Sequence, residues 1–241
     1  MGLTQVHKVS VADEVFQQLS TGIVRGEWTA GQALPSERKL AEAMGVSRPL
    51  VREAVRRLEQ AGLVAIRHGS GLTVCDFRRT AGLDLLPHLL LRPDGDVDWS
   101  LVQSVMEMRT AIAPDAARLC ALRQPWRGAV LGELAREMQE EPDLAALQSR
   151  MMRFFDEVIE GSGNVAYRLA YNSLRRVYDP VRDVMAGVLE TELRDVARVQ
   201  RLAQAIAQAD ADSAARLARE LVLQGQGAVE AAIAVLRTPD K

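Results

Sequence analysis

Two short amphipathic segments that meet at Gly45 constrain this chain more than any other feature. Ser36 can open a helix that carries Leu40, Ala41 and Met44 on one face and stops at Gly45. Ser47 can cap the next helix, with Pro49 in a first turn where a missing N–H costs little. Val51, Ala54, Val55 and Leu58 give that helix a buried stripe, and Gly62 ends it. Helices that cross so closely need a small residue at the crossing and a bend that tolerates positive φ. Ala41 and Gly45 supply both, and Val46 and Val51 plug the angle between the helices. Upstream, Ser10 caps a helix bearing Val11, Val15, Leu19 and Ile23, closed by Gly26; residues 27–35 read as a loop. Downstream, Leu63–Ile66 and Leu72–Val74 are β-prone runs around the glycine-rich tip Arg67-His68-Gly69-Ser70-Gly71. Helix, helix, bend, helix, hairpin is the order of a winged helix-turn-helix, and residues 1–76 are assigned to it.

The remainder is helical. Gly82, Pro87, Pro93 and Gly95 interrupt an apolar stretch at Leu83–Leu91, so 77–98 reads as a linker with a short helix. From 99 to 241 the periodicity predicts an all-helical domain for ligand binding and dimerisation, with helices over 126–140, 143–160, 165–189, 192–208 and 212–236. In its first helix Leu101, Val105, Met108, Ile112 and Leu119 form one apolar stripe. The fold class is therefore mainly α, a winged helix-turn-helix followed by a helical-bundle effector domain. No apolar run reaches the ~20 residues that span a bilayer, and Met1–Ser10 lacks the apolar core of a signal peptide. A cytoplasmic protein with no membrane partner is expected. Cys75 and Cys120 match no metal or redox spacing and read as buried thiols.

Charge divides along the same line. Residues 1–79 carry 11 Lys and Arg against 8 Asp and Glu, whereas residues 80–241 carry 19 against 24. Opposite the buried stripe of the third helix stand Arg48, Arg52 and Arg56, at i, i+4 and i+8. The N-terminal residues of such a helix reach base edges in the major groove of double-stranded DNA, where arginine bonds guanine bidentately. Arg38 is placed to meet the backbone or an adjoining base, and His68 at the wing tip to meet the minor groove or a phosphate.

Leu34-Pro35-Ser36-Glu37-Arg38-x-Leu40-Ala41, Gly45-Val46-Ser47-Arg48, Val51-Arg52-Glu53-Ala54 and Arg67-x-Gly69-Ser70-Gly71 together resemble the signature of the GntR regulators over about the first 75 residues. The resemblance implies DNA contacts at Arg38, Ser47, Arg48, Pro49, Arg52, His68 and Gly69. Pro49 and Leu50 replace positions often held by hydroxyl side chains, which points to a different base sequence. The C-terminal half resembles the effector domain of the FadR subfamily. Met108-Arg109-x-Ala111-Ile112-x-Pro114-x-Ala116-Ala117-Arg118-Leu119, Ser162-Gly163-Asn164 and Ala205-Ile206-x3-Asp210-x3-Ala214 carry that likeness.

Many members of the subfamily hold a metal through one Asp and three His. Here Met151, Phe155, Val199 and Leu221 fall at those positions, and no histidine lies beyond His88, so neither metal nor cofactor is expected. Four apolar side chains imply a greasy pocket, and the resemblance extends to the branch that senses long-chain fatty acyl-CoA, with Phe155 and Tyr178 among its aromatics. Arg109, at the edge of the apolar stripe, suits a ligand carboxylate; an internal salt bridge to a helix such as that of Glu157 is the alternative. Leu221–Leu236 lacks the aromatic and basic groups that meet CoA in that branch, leaving Tyr167, Tyr171, Tyr178, Arg175, Arg176 and Arg182 as substitutes. No nucleophile–base pair or phosphate-cradling loop marks an enzyme, and no catalytic residue is assigned. The remaining rivals are a helical half that only dimerises and a small organic acid as effector. Two-fold symmetry then predicts a homodimer on a palindromic operator.

Overall fold

The structure is a computed structural model that describes residues 11–67, 71–90 and 96–236. The chain divides into two compact units, 1–96 and 97–241. The expected Ser10 cap lies outside the described residues.

The first unit begins with α1 (Val11–Val24), α2 (Glu37–Met44) and α3 (Arg48–Gln60). Ser36 caps α2 by accepting from the Lys39 amide at 3.4 Å, and Gly45 ends it in the left-handed region, at φ 65°. Val51, Ala54, Val55 and Leu58 are fully buried, as the stripe predicts. They pack with Val15, Phe16, Leu19 and Ile23 of α1 into one core. The Arg57 guanidinium sits 4.7 Å over the Phe16 ring and pairs with Asp13, which locks α1 against α3. Strands β1 (Val64–Arg67) and β2 (Gly71–Val74) form the antiparallel wing stem, with Val64 opposite Val74 and Ile66 opposite Leu72.

Two segments of this unit are more ordered than their sequence suggests. Residues 31–34 run along β2, with the Leu34 amide donating to Leu72 and the Val74 amide to Gln32, both at 2.9 Å. Gly31 and Pro35 confine that pairing to a run too short for alternation to reveal. Residues 77–90 form α4 (Phe77–Thr80), a 3₁₀ turn (Leu83–Leu85) and α5 (Leu86–Leu89). Leu85 joins the core of the first unit, and Phe77, Ala81 and Leu89 pack against it. The Thr80 hydroxyl donates to the Gly62 carbonyl at 2.6 Å, and the His88 ring meets the edge of Phe16 at 4.6 Å.

The second unit is a helical bundle: α6 (Trp99–Arg123), α7 (Arg127–Gln139), α8 (Leu144–Gly161), α9 (Val165–Tyr178), α10 (Arg182–Val188), α11 (Glu190–Leu193), α12 (Val196–Ala207) and α13 (Ala211–Leu236). Side-chain caps explain four of these starts: Asp98, Asp143, Asn164 and Asp195 each accept from amides of the first turn that follows. The predicted helix 165–189 is in fact two. A 3₁₀ turn at Asp179–Val181 separates α9 from α10, because Pro180 lacks an N–H and clashes with the carbonyl four residues before it. The predicted helix 192–208 is likewise divided, with Glu192 on the four-residue α11 and the Asp195 cap restarting the chain as α12. The stripe of α6 also needs correcting. Leu119 is buried as expected, but Leu101, Val105, Met108 and Ile112 are only half-buried, and the buried face runs through Val102, Met106, Ala113, Ala117 and Cys120. Both stripes are apolar at helical spacing, so periodicity does not choose between them. Among the described residues no helix is long and apolar enough to cross a membrane.

Candidate DNA interface and effector site

Helix α3 presents Arg48, Arg52 and Arg56 on its exposed side, spread over about 12 Å of axis at 1.5 Å per residue. Ser47 and Pro49 are exposed at its amino end. Ser47 occupies the cap position without a side-chain cap bond, so its hydroxyl is not committed to the helix. Arg52 is steadied by Glu37 across the bend (Nε to Oε2, 3.1 Å), and Arg38 by Glu42 one turn along α2, also at 3.1 Å. Ion pairs this exposed contribute about 0–1 kcal/mol, so a phosphate or a base edge can take either arginine from its glutamate. The sequence reading missed both glutamates; an acidic residue at i+4 from Arg38 was the available signal. His68 and Gly69, assigned to the wing tip, lie outside the described residues.

In the second unit Arg109 is half-buried on α6, beside the buried face that carries Met106 and Ala113, and its guanidinium grips the Glu192 carboxylate with both terminal nitrogens, one bond measuring 2.8 Å. The internal partner is therefore Glu192, and Glu157 pairs with Arg127 instead. Glu192 is 1% exposed and Arg109 22%. Burial pulls the Arg109 pKa down, and the Glu192 carboxylate overrides this, holding it above its ordinary value. Gly225 of α13 makes the arrangement possible, because a Cβ there would overlap Glu192 Oε2.

Aromatic groups surround the pair. The Arg109 guanidinium lies 5.3 Å from the Phe155 ring centre. Tyr178 is near enough for its titration to feel both Arg109 and Glu192. Burial pushes its hydroxyl up to about 12, against a hydrogen bond from the Gln148 amide. Tyr171, also pushed up to about 12 by burial, donates to the Met152 carbonyl at 3.0 Å. Of the predicted effector residues, the structure thus gathers Arg109, Phe155 and Tyr178. Met151 is buried one turn before Phe155 on α8, and Leu221 one turn before Gly225 on α13. Val199 is buried on α12. Sequence reasoning missed Glu192, Gly225 and Gln148. Two signals pointed to the first two: the Asp195 cap, which isolates residues 190–194, and a glycine inside a long helix; nothing pointed to Gln148. Farther along α9, Arg175 and Arg176 line an open groove of about 500 Å³ with Leu169, Asn172, Ser173 and Asp179. Among the described residues no three His, Cys, Asp or Glu side chains stand close enough to hold a metal ion.

Comparison with known proteins places both halves. Residues 11–74 match the model of the bacterial regulatory proteins of the gntR family, and residues 104–224 match that of the FCD domain. The HTH-type transcriptional regulator Mce2R of Mycobacterium tuberculosis is 41% identical over 92% of each chain. The fatty acid metabolism regulator protein of Edwardsiella ictaluri is 32% identical over 68% of each. Among solved structures, Lar, described as controlling expression of the Listeria monocytogenes agr system, matches with a TM-score of 0.56. The identity is 16%, over 94% of this chain and 99% of that one, and the likeness concerns the fold.

Proposed function

The chain belongs to the GntR family of bacterial transcriptional regulators and carries an FCD domain; from that premise we propose a homodimeric regulator of fatty-acid metabolism whose hold on a palindromic operator is set by an apolar, long-chain effector. One observation carries the choice of effector. By the family resemblance Met151, Phe155, Val199 and Leu221 fall at the metal-binding positions of many relatives; all four are buried, and Phe155 lies 5.3 Å from the Arg109 guanidinium. Apolar side chains beside an arginine suit an aliphatic tail and an anionic head. The Edwardsiella ictaluri relative, a fatty acid metabolism regulator by name, supports the same class. Arg38, Ser47, Arg48, Pro49 and Arg52 read the operator with His68 and Gly69 of the wing.

Ligand entry repacks the residues around Arg109 on α6, and the coupling to the DNA-binding unit is of the usual 1–3 kcal/mol. The test is to recover an operator from a pool of random duplexes and to follow its binding by fluorescence anisotropy with palmitate or palmitoyl-CoA added. The recovered sequence is expected to be palindromic, and either ligand to shift its affinity tens-fold. An operator affinity indifferent to both ligands would remove the long-chain reading. A small organic acid is the second reading, favoured by the two-pronged fit of a carboxylate on Arg109.

A further inference from the structure

Stability alone does not account for Glu192. A buried guanidinium–carboxylate pair returns little net stability once both groups have been taken out of water. Accommodating this one also places a glycine in the interior of α13, where most residues hold a helix better. Glu192 rides on the four-residue α11, bounded by Leu189 and the Asp195 cap. Its neighbours Glu190, Thr191 and Arg194 are exposed while Leu189 and Leu193 are buried, so α11 lies at the surface of the bundle with one side turned inward. A short helix bounded in this way can shift without unwinding a longer one. The guanidinium it would leave behind keeps the Phe155 face, with Tyr178 and Tyr171 close by.

We propose that the Glu192 carboxylate is an internal stand-in for the anionic head of the effector, which displaces it from Arg109 and releases α11 from Gly225. The inference rests on Arg109 being the effector's cation, and it adds what the effector must carry and which element it moves. Charge balances in the exchange: Arg109 trades one anion for another, and Glu192 recovers its hydration. A neutral amphiphile of the same length has nothing to offer Arg109 and leaves Glu192 in place. Carboxylate and phosphate heads share the required chemistry.

The experiment compares the full chain with its Glu192→Gln variant by titration calorimetry against palmitate, palmitoyl-CoA and hexadecanol. Removing the competing charge is expected to tighten palmitate at least about tenfold and to change hexadecanol less than about twofold. A gain with palmitoyl-CoA that exceeds the gain with palmitate assigns the head to a phosphate. Equal palmitate affinity in the two proteins, or an equal gain for hexadecanol, overturns the inference. Should the variant fail to fold, hydrogen exchange of the unaltered protein decides: saturating palmitate should speed exchange at residues 190–194, and unchanged or slower exchange there sinks the idea. If no long-chain probe binds either protein, the fatty-acid reading falls by itself. Sodium acetate and sodium phosphate then test the displacement separately. Either salt should raise the Tm of the variant above that in sodium chloride and leave the unaltered protein unmoved; absence of that difference ends the proposal.

Discussion

Arg52 and Arg109 are each held by a glutamate from another helix, and the surroundings of the two pairs are opposite. Arg52 is 52% exposed and its Glu37 26%, whereas Arg109 is 22% exposed and its Glu192 1%. In the first unit water screens the charges, so the pair is a resting place from which the arginine can be drawn by DNA at little cost. In the second unit deleting either side chain strands the other largely away from water. The same two side chains therefore provide a freely exchangeable pairing on the surface and, in the interior, one that yields only when another anion takes the place of the first, with burial making the difference.

The contrast can be broken by substitution. Arg109→Met leaves the Glu192 carboxylate buried without a partner and is expected to destabilise the helical bundle by about 3–5 kcal/mol in urea unfolding. Adding Glu192→Met should restore most of that loss. A single-variant cost below about 1 kcal/mol would mean the interior pair behaves like the surface one. Smaller effects are expected on the DNA face, and of a different kind. Arg48→Ala or Arg52→Ala should weaken specific operator binding by about 1–3 kcal/mol for each base edge left unread, with the urea midpoint unchanged. An arginine that meets only phosphate would instead lower the salt dependence by about one unit and weaken all sequences alike. Smallest of all, Glu37→Gln should alter stability by no more than about 1 kcal/mol. It should leave operator affinity the same or slightly higher, because Arg52 no longer has a competitor. A large loss of stability in that variant would place the surface pair with the interior one.

The DNA-binding unit was legible in the sequence because each of its requirements is local. A capping Ser36, a glycine that accepts φ 65° and a small Ala41 announce themselves within ten residues, and the structure has them in those roles. What stayed hidden in that unit was non-local: the 31–34 pairing and the docking of residues 77–90. The bundle was legible as helices, and its interior was not. Phase along α6 depends on which neighbours cover it, so the predicted stripe came out one residue off. Glu192 looked like an ordinary acidic residue at the start of a solvated helix, where the helix dipole would favour it. Its burial follows from breaks at Pro180 and Asp195 that shorten the surrounding helices, and from a glycine more than thirty residues away.

That glycine binds two distant positions to a common fate. The space at Gly225 is the volume occupied by the end of the Glu192 side chain, so a methyl group on one helix and a methylene on the other exclude each other. Gly225→Ala alone should evict the acid, whereas Gly225→Ala combined with Glu192→Asp moves one carbon from α11 to α13 and leaves the total nearly constant. Neither site can drift far unless the other moves with it, and a lineage that fills position 225 must shorten or abandon its acid at position 192.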